Sequence, residues 1–178
     1  VSALDFLAVD RAFVDVVYED ARNGIKLDDS IELAADKPAR PFLIDRVDQT
    51  LNRVRYKVTI LMKDTTLFEG PWSTTLGKRI FVRSDLRGHR AVVLRAPGDF
   101  VARKLERITV EARAKDELAG LAFADRFEFT DAGSTATFEF DFVDPAADAY
   151  ELKVKRLFRN GMSSETDWQR FDTDDVIA

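Results

Sequence analysis

Sliding this 178-residue chain along itself by 94 to 96 positions brings like residues together in order. Asp5-Phe6-Leu7-Ala8 meets Asp99-Phe100-Val101-Ala102, and Val14 and Val16 meet Ile108 and Val110. After a shift of two residues, Asp20 meets Asp116 and Gly24 meets Gly120. Ile25, Leu27, Asp29, Ile31, Glu32 and Leu33 then meet Leu121, Phe123, Asp125, Phe127, Glu128 and Phe129. The run from Phe42 to Asp48 meets the run from Phe138 to Asp144, and Tyr56 meets Tyr150. The chain's only two Trp, Trp72 and Trp168, also coincide. An ordered series that matches apolar to apolar is the signature of a structural repeat. The reading is therefore two copies of one unit, residues 1–94 and 95–178. The last residues, 176–178, fall opposite 80–82, so the chain is expected to be a piece of a longer array.

Each copy is expected to be all-β. Tyr56 to Met62, Asp125 to Phe129, Thr137 to Phe142 and Tyr150 to Val154 alternate apolar and polar residues, the pattern of a strand with one face buried. Asn23-Gly24 and Asn160-Gly161 read as hairpin turns, since both residues tolerate positive φ. The stretch Phe100 to Ala119 has a rival reading. It lacks Gly and Pro, and Val101, Leu105, Ile108 and Ala112 fit helical spacing, with Gly120 as a C-cap. The matching run Phe13 to Tyr18 is β-branched and aromatic, which favours strand in both copies. Phe42 and Phe138, Val58 and Leu152, and Tyr56 and Tyr150 are the expected core.

Val143-Asp144-Pro145, then Tyr150 to Val154, then Asn160-Gly161, resembles the corner and last hairpin of fibronectin type III or immunoglobulin-like domains. The resemblance covers about 35 residues in each copy, and it implies two tandem antiparallel β-sandwich domains. It also implies that Tyr150, and Tyr56 by repeat, closes a corner by hydrogen-bonding back to the chain upstream.

Chemistry-bearing motifs are sparse. There is no Cys, so disulfides and thiolate metal sites are excluded. His89 is the single His, with no G-x-S-x-G elbow to serve, and it is expected to be a surface loop residue. No Gly-rich phosphate loop occurs. Asp5, Asp20, Asp29, Asp45 and Asp48 recur as Asp99, Asp116, Asp125, Asp141 and Asp144. Converging carboxylates can hold Ca²⁺, but Asp also caps turns by bonding nearby backbone, and turn caps are the preferred reading. Trp72 and Trp168 can stack on sugars, although large aromatics more often pack in cores or between domains. Net charge is −5, which argues against nucleic-acid binding. Nonetheless Lys78 to Arg107 holds nine Lys/Arg against three Asp/Glu, suited to pairing with acidic faces of its neighbours. No apolar run is long enough for a membrane helix.

The function expected from these residues is a non-enzymatic structural or interaction module, without cofactor, cut from a larger surface or secreted protein. Its partners would be neighbouring domains or subunits, with neither nucleic acid nor membrane among them. The alternative is a glycan-binding or other ligand-binding module built on Trp72 and Trp168.

Overall fold

The computed structural model describes residues 3–48 and 52–178. The chain is all-β and divides into two compact units, Val1–His89 and Arg90–Ala178. The strands are β1 (Val9–Asp20), β2 (Ile25–Leu33), β3 (Val54–Met62), β4 (Leu67–Glu69), β5 (Ser73–Thr75), β6 (Gly88–Arg95), β7 (Leu105–Asp116), β8 (Leu121–Phe129), β9 (Thr135–Phe142), β10 (Tyr150–Phe158), β11 (Ser163–Glu165), β12 (Gln169–Phe171) and β13 (Asp175–Ile177). A 3₁₀ turn spans Pro145–Ala147.

The first unit is one antiparallel sheet ordered β2-β1-β3-β4, with β5 also on β3. Ala12, Val14, Val16 and Tyr18 of β1 alternate inward and are buried. Their core is completed by Leu33, Val54, Tyr56 and Ile60, and by side chains from segments without strand structure, among them Phe6, Phe42, Ile44, Ile80 and Val82.

The second unit has two sheets. One is antiparallel and ordered β11-β10-β7-β8, with β12 also on β10; the other is ordered β13-β6-β9. Ile108, Val110 and Ala112 of β7, Leu152 of β10, Val92 and Leu94 of β6, and Phe138, Phe140 and Phe142 of β9 share one core. Not every pairing is antiparallel, because β13 runs parallel to β6.

Strand registers in the two units agree residue for residue at a spacing of 96. Ala12 faces Leu33 as Ile108 faces Phe129, and Asp20 faces Ile25 as Asp116 faces Leu121. Val14 faces Val58 as Val110 faces Val154. Val14 thus corresponds to Val110, not to Ile108, because the two extra residues fall in the turn before β7; Tyr56 likewise corresponds to Leu152, and Tyr150 to Val54, so the two tyrosines are not equivalent. Each of these long strands also carries one bulge, which skips Asp10 in β1 and Glu106 in β7. Phe100 to Ala119 is turn followed by strand, with no helix.

Four expectations need correction. Phe42 and Val58 are only half-buried, whereas Phe138 and Leu152 are buried. Residues 39–46 form no strand, although their counterparts lie in β9. Two physical reasons apply: β9 is hydrogen-bonded to β6, and residues 39–46 lack such a partner among the described residues; Pro38 and Pro41 also offer no N–H to a ladder. In Asn23-Gly24 and Asn160-Gly161 only the glycines take positive φ, at 67° and 82°. The loop before β2 is accordingly four residues long, not a two-residue turn. Finally, the Tyr150 hydroxyl donates to the Thr173 carbonyl, 2.8 Å away and downstream. It ties β10 to the segment entering β13 rather than closing an upstream corner.

Candidate functional site

Trp72 is 44% exposed and Trp168 is half-buried. Each has a guanidinium on one face. Arg55 of β3 lies 5.2 Å from the Trp72 ring centre, and Arg113 of β7 lies 4.0 Å from that of Trp168. These arginines are not counterparts. Glu151 corresponds to Arg55 and sits across the ladder from Arg113, which it pairs with at 2.6 Å. The two units therefore place a cation over the indole from opposite strands of one pair. Such a contact is worth about 0.5–1 kcal/mol at exposed sites, and it covers a face that a sugar would otherwise use.

The recurring carboxylates mostly cap backbone. Asp5 accepts from the Leu7 amide, Asp29 from Ser30, Asp125 from Arg126 and Asp144 from Ala146. Asp99 instead pairs with Arg103. Asp20 is buried at the end of β1 and accepts from the amide and side chain of Asn23. Its counterpart Asp116 is buried too. One carboxylate oxygen accepts from Ala119 and the other from Val143 and Asp144, which holds this carboxyl below the ordinary aspartate range. Asp45 is exposed, and Asp48 and Asp141 are half-buried. Among the described residues no three His, Cys, Asp or Glu side chains come close enough to hold a metal ion.

The basic stretch is largely paired within its own units. Arg83 and Arg87 meet Asp85, Arg95 meets Asp175, Arg103 meets Asp99 and Arg107 meets Glu128. Arg90 is the most enclosed. Its Nε donates to Asp174 Oδ1 at 2.9 Å, its Nη1 to the Asp148 carbonyl at 2.7 Å and its Nη2 to the Asp172 carbonyl. Lys78 and Arg79 have no acidic side chain of the described residues within ion-pair distance. His89 is not on a loop. It lies in β6, half-buried, and its backbone N–H donates to Ser73 Oγ.

Two of the concavities formed by the described residues bear on function, one in each unit. The larger, about 750 Å³, lies in the second unit and is lined by Asp116, Glu117, Asp144 and Glu151. Asp116 is saturated by amides, Glu117 is held low by Lys115, Asp144 caps the 3₁₀ turn, and Glu151 is paired with Arg113. The other, about 330 Å³, lies in the first unit. Phe42 and Ile44 form one wall, Ile80 and Val82 the other, and Val14 and Val16 of β1 the floor. Its rim carries Arg40, Lys78 and Arg79.

Sequence reading placed Phe42 in the core and Lys78 at the start of the basic stretch, but did not bring them together in one groove. A signal was present in the alignment: Lys78 and Arg79 stand opposite Asp174 and Asp175, a reversal of charge at otherwise corresponding positions. Compared with protein-family models, curated proteins and solved structures, the chain has no match.

Proposed function

We propose that the chain is a non-enzymatic structural or interaction module made of two immunoglobulin-like β-sandwich repeats, working within a larger assembly. The conserved spacing of 96 between strand registers supports the duplication. One core shared by two sheets in the second unit supports the sandwich. The observation that carries the non-enzymatic reading is the use made of the carboxylates in the larger concavity. Each is engaged by backbone amides or a neighbouring cation, so the carboxylates there serve structural bonds rather than standing free for acid–base work.

The exposure of Trp72 favours a second reading, a glycan-binding module. One experiment separates the two. The 178-residue chain and its Trp72→Ala/Trp168→Ala variant are titrated against a panel of glycans by calorimetry. The module reading expects no saturable binding that depends on the indoles. Saturable binding lost in the double variant would replace it with the glycan reading.

A further inference from the structure

β2 in the first unit and β8 in the second are edge strands. Among the described residues β2 pairs only with β1, and β8 only with β7. Each is nine residues long, against about 5–6 for an ordinary strand. Neither contains Pro, and the register of each with its neighbour is unbroken. Such an edge presents a row of unpaired N–H and C=O groups on which a strand of another molecule can add.

The core-facing positions along each strand are apolar with one exception. Ile25, Leu27, Ile31 and Leu33 have Asp29 at their centre, and Leu121, Phe123, Phe127 and Phe129 have Asp125. Asp29 stands opposite Val16, which is 0% exposed, and Asp125 opposite Ala112, which is 1% exposed. Both aspartates are nonetheless exposed. Asp29 Oδ1 accepts from the Ser30 amide at 2.9 Å, and Asp125 Oδ1 from the Arg126 amide at 2.7 Å. In an antiparallel ladder only alternate residues bond the neighbouring strand. An amide taken by a side chain of its own strand is one that the ladder leaves on the open side. Each carboxylate therefore occupies, at the middle of the edge, an amide that an added strand needs.

The charge acts in the same direction. Laid antiparallel on itself about its centre, β8 sets Leu121 against the partner's Phe129 and Phe123 against the partner's Phe127. The same register sets Asp125 against the partner's Asp125, and like charges directly opposite are destabilising. β2 meets itself in the same way about Asp29. Lys26, Asp28, Glu32, Arg126 and Glu128 are exposed on the opposite face, where they stay hydrated when a strand is added beside them. A carboxylate on the core-facing side would be hemmed in by apolar neighbours and lose water without gaining a partner, which is costly.

We propose that Asp29 and Asp125 guard the two open edges and keep copies of this chain from joining through β2 and β8. The occupant they exclude is the same strand of a second copy, because its apolar positions match and only its aspartate does not.

The test uses the whole chain. Self-association of the Asp29→Val and Asp125→Val variants is measured by sedimentation velocity, and its location by amide hydrogen exchange. Each variant should associate at least about tenfold more tightly than wild type. New protection should appear at residues 25–33 in the first and 121–129 in the second. Asp29→Lys and Asp125→Lys, which keep a charge at the centre of the strand, should behave as wild type does. So should Asp28→Val, which makes the same change in net charge on the other face of β2. The urea midpoint of the Val variants should not fall, because Val favours strand and the side chain it replaces is exposed. Where it does fall, Thr, also β-branched, takes the place of Val. The proposal is overturned if neither the Val nor the Thr variants associate, or if the Lys or Asp28→Val variants associate as strongly. It is also overturned if protection appears away from the altered edge. None of these results bears on the module reading, which indole-dependent glycan binding tests.

Discussion

Phe42 and Phe138 hold corresponding positions in differently enclosed surroundings, so truncating each to Ala measures what the missing wall is worth. Phe138 is 2% exposed and has three aromatic neighbours, with ring centres at 5.5 Å for Phe140, 6.3 Å for Tyr150 and 6.5 Å for Phe127. Removing its ring loses about 2 kcal/mol of transfer free energy. A closed cavity adds ~24 cal/mol per Å³, which brings the total to about 3–5 kcal/mol. Phe42 is half-buried on an open groove. Its loss leaves no closed cavity and forfeits roughly half the transfer term, about 1 kcal/mol. Each unit holds one Trp, so Trp168→Phe and Trp72→Phe backgrounds report on one unit at a time. In urea, with a slope of about 1–3 kcal/mol/M, Phe138→Ala should lower the midpoint read by Trp168 by about 2 M. Phe42→Ala should move the midpoint read by Trp72 by less than half as much. Equal losses at the two positions would refute the reasoning, because Phe42 would then be as enclosed in solution as Phe138.

Three further outcomes follow from the second unit. Arg90→Met should destabilise it by about 2–4 kcal/mol, read by Trp168, because the side chain is 11% exposed and its three acceptors lose a charged donor together; a change under 0.5 kcal/mol would mean that solvent already serves those acceptors. The carboxyl of Asp116 is held low by the amides of Asp144, Val143 and Ala119. Its stabilisation is therefore fully present above the unfolded aspartate pKa of about 3.9 and is lost as pH falls through the depressed folded value, so the stability gap between wild type and Asp116→Asn should close on acidification and stay constant between pH 6 and 8. Burial pushes the Tyr150 hydroxyl up to about 12, so the neutral phenol's contribution holds below about pH 10 and is lost as pH rises toward 12. Tyrosinate absorbance should show one late-titrating group missing in Tyr150→Phe, a variant that also loses the bond to Thr173 at a cost of about 1 kcal/mol.

Much of the strand structure was legible because period-two alternation survives wherever one face is buried. β3, β8, β9 and β10 all carry it. The ambiguity over β7 has a definite source. Ile108 and Ala112 are four apart, a spacing that fits both a strand and a helix. Leu105 and Ile108 are three apart, which strand alternation forbids and helix periodicity allows. Both are nevertheless buried, because the bulge at Glu106 resets the alternation. Val9 and Ala12 repeat this around Asp10. A bulge is fixed by pairing with a distant strand, so nothing local announces it. The groove was illegible for a related reason. Phe42 to Val47 is nearly as apolar as Phe138 to Val143, and what separates the irregular segment from β9 is the lack of a partner strand among the described residues together with Pro38 and Pro41.

The parallel pairing of β6 with β13 has a mechanical consequence. These are the first and last strands of the second unit, joined through Val93, Leu94 and Arg95 against Asp175, Val176 and Ile177. The Ala178 amide adds a bond to the Arg95 carbonyl at 3.0 Å. When two terminal strands lie side by side and parallel, tension on the unit's ends slides one past the other. The connecting bonds then bear the load together, instead of breaking one after another as in an unzipping hairpin. Stretched between its ends, the second unit should give way in a single event at high force.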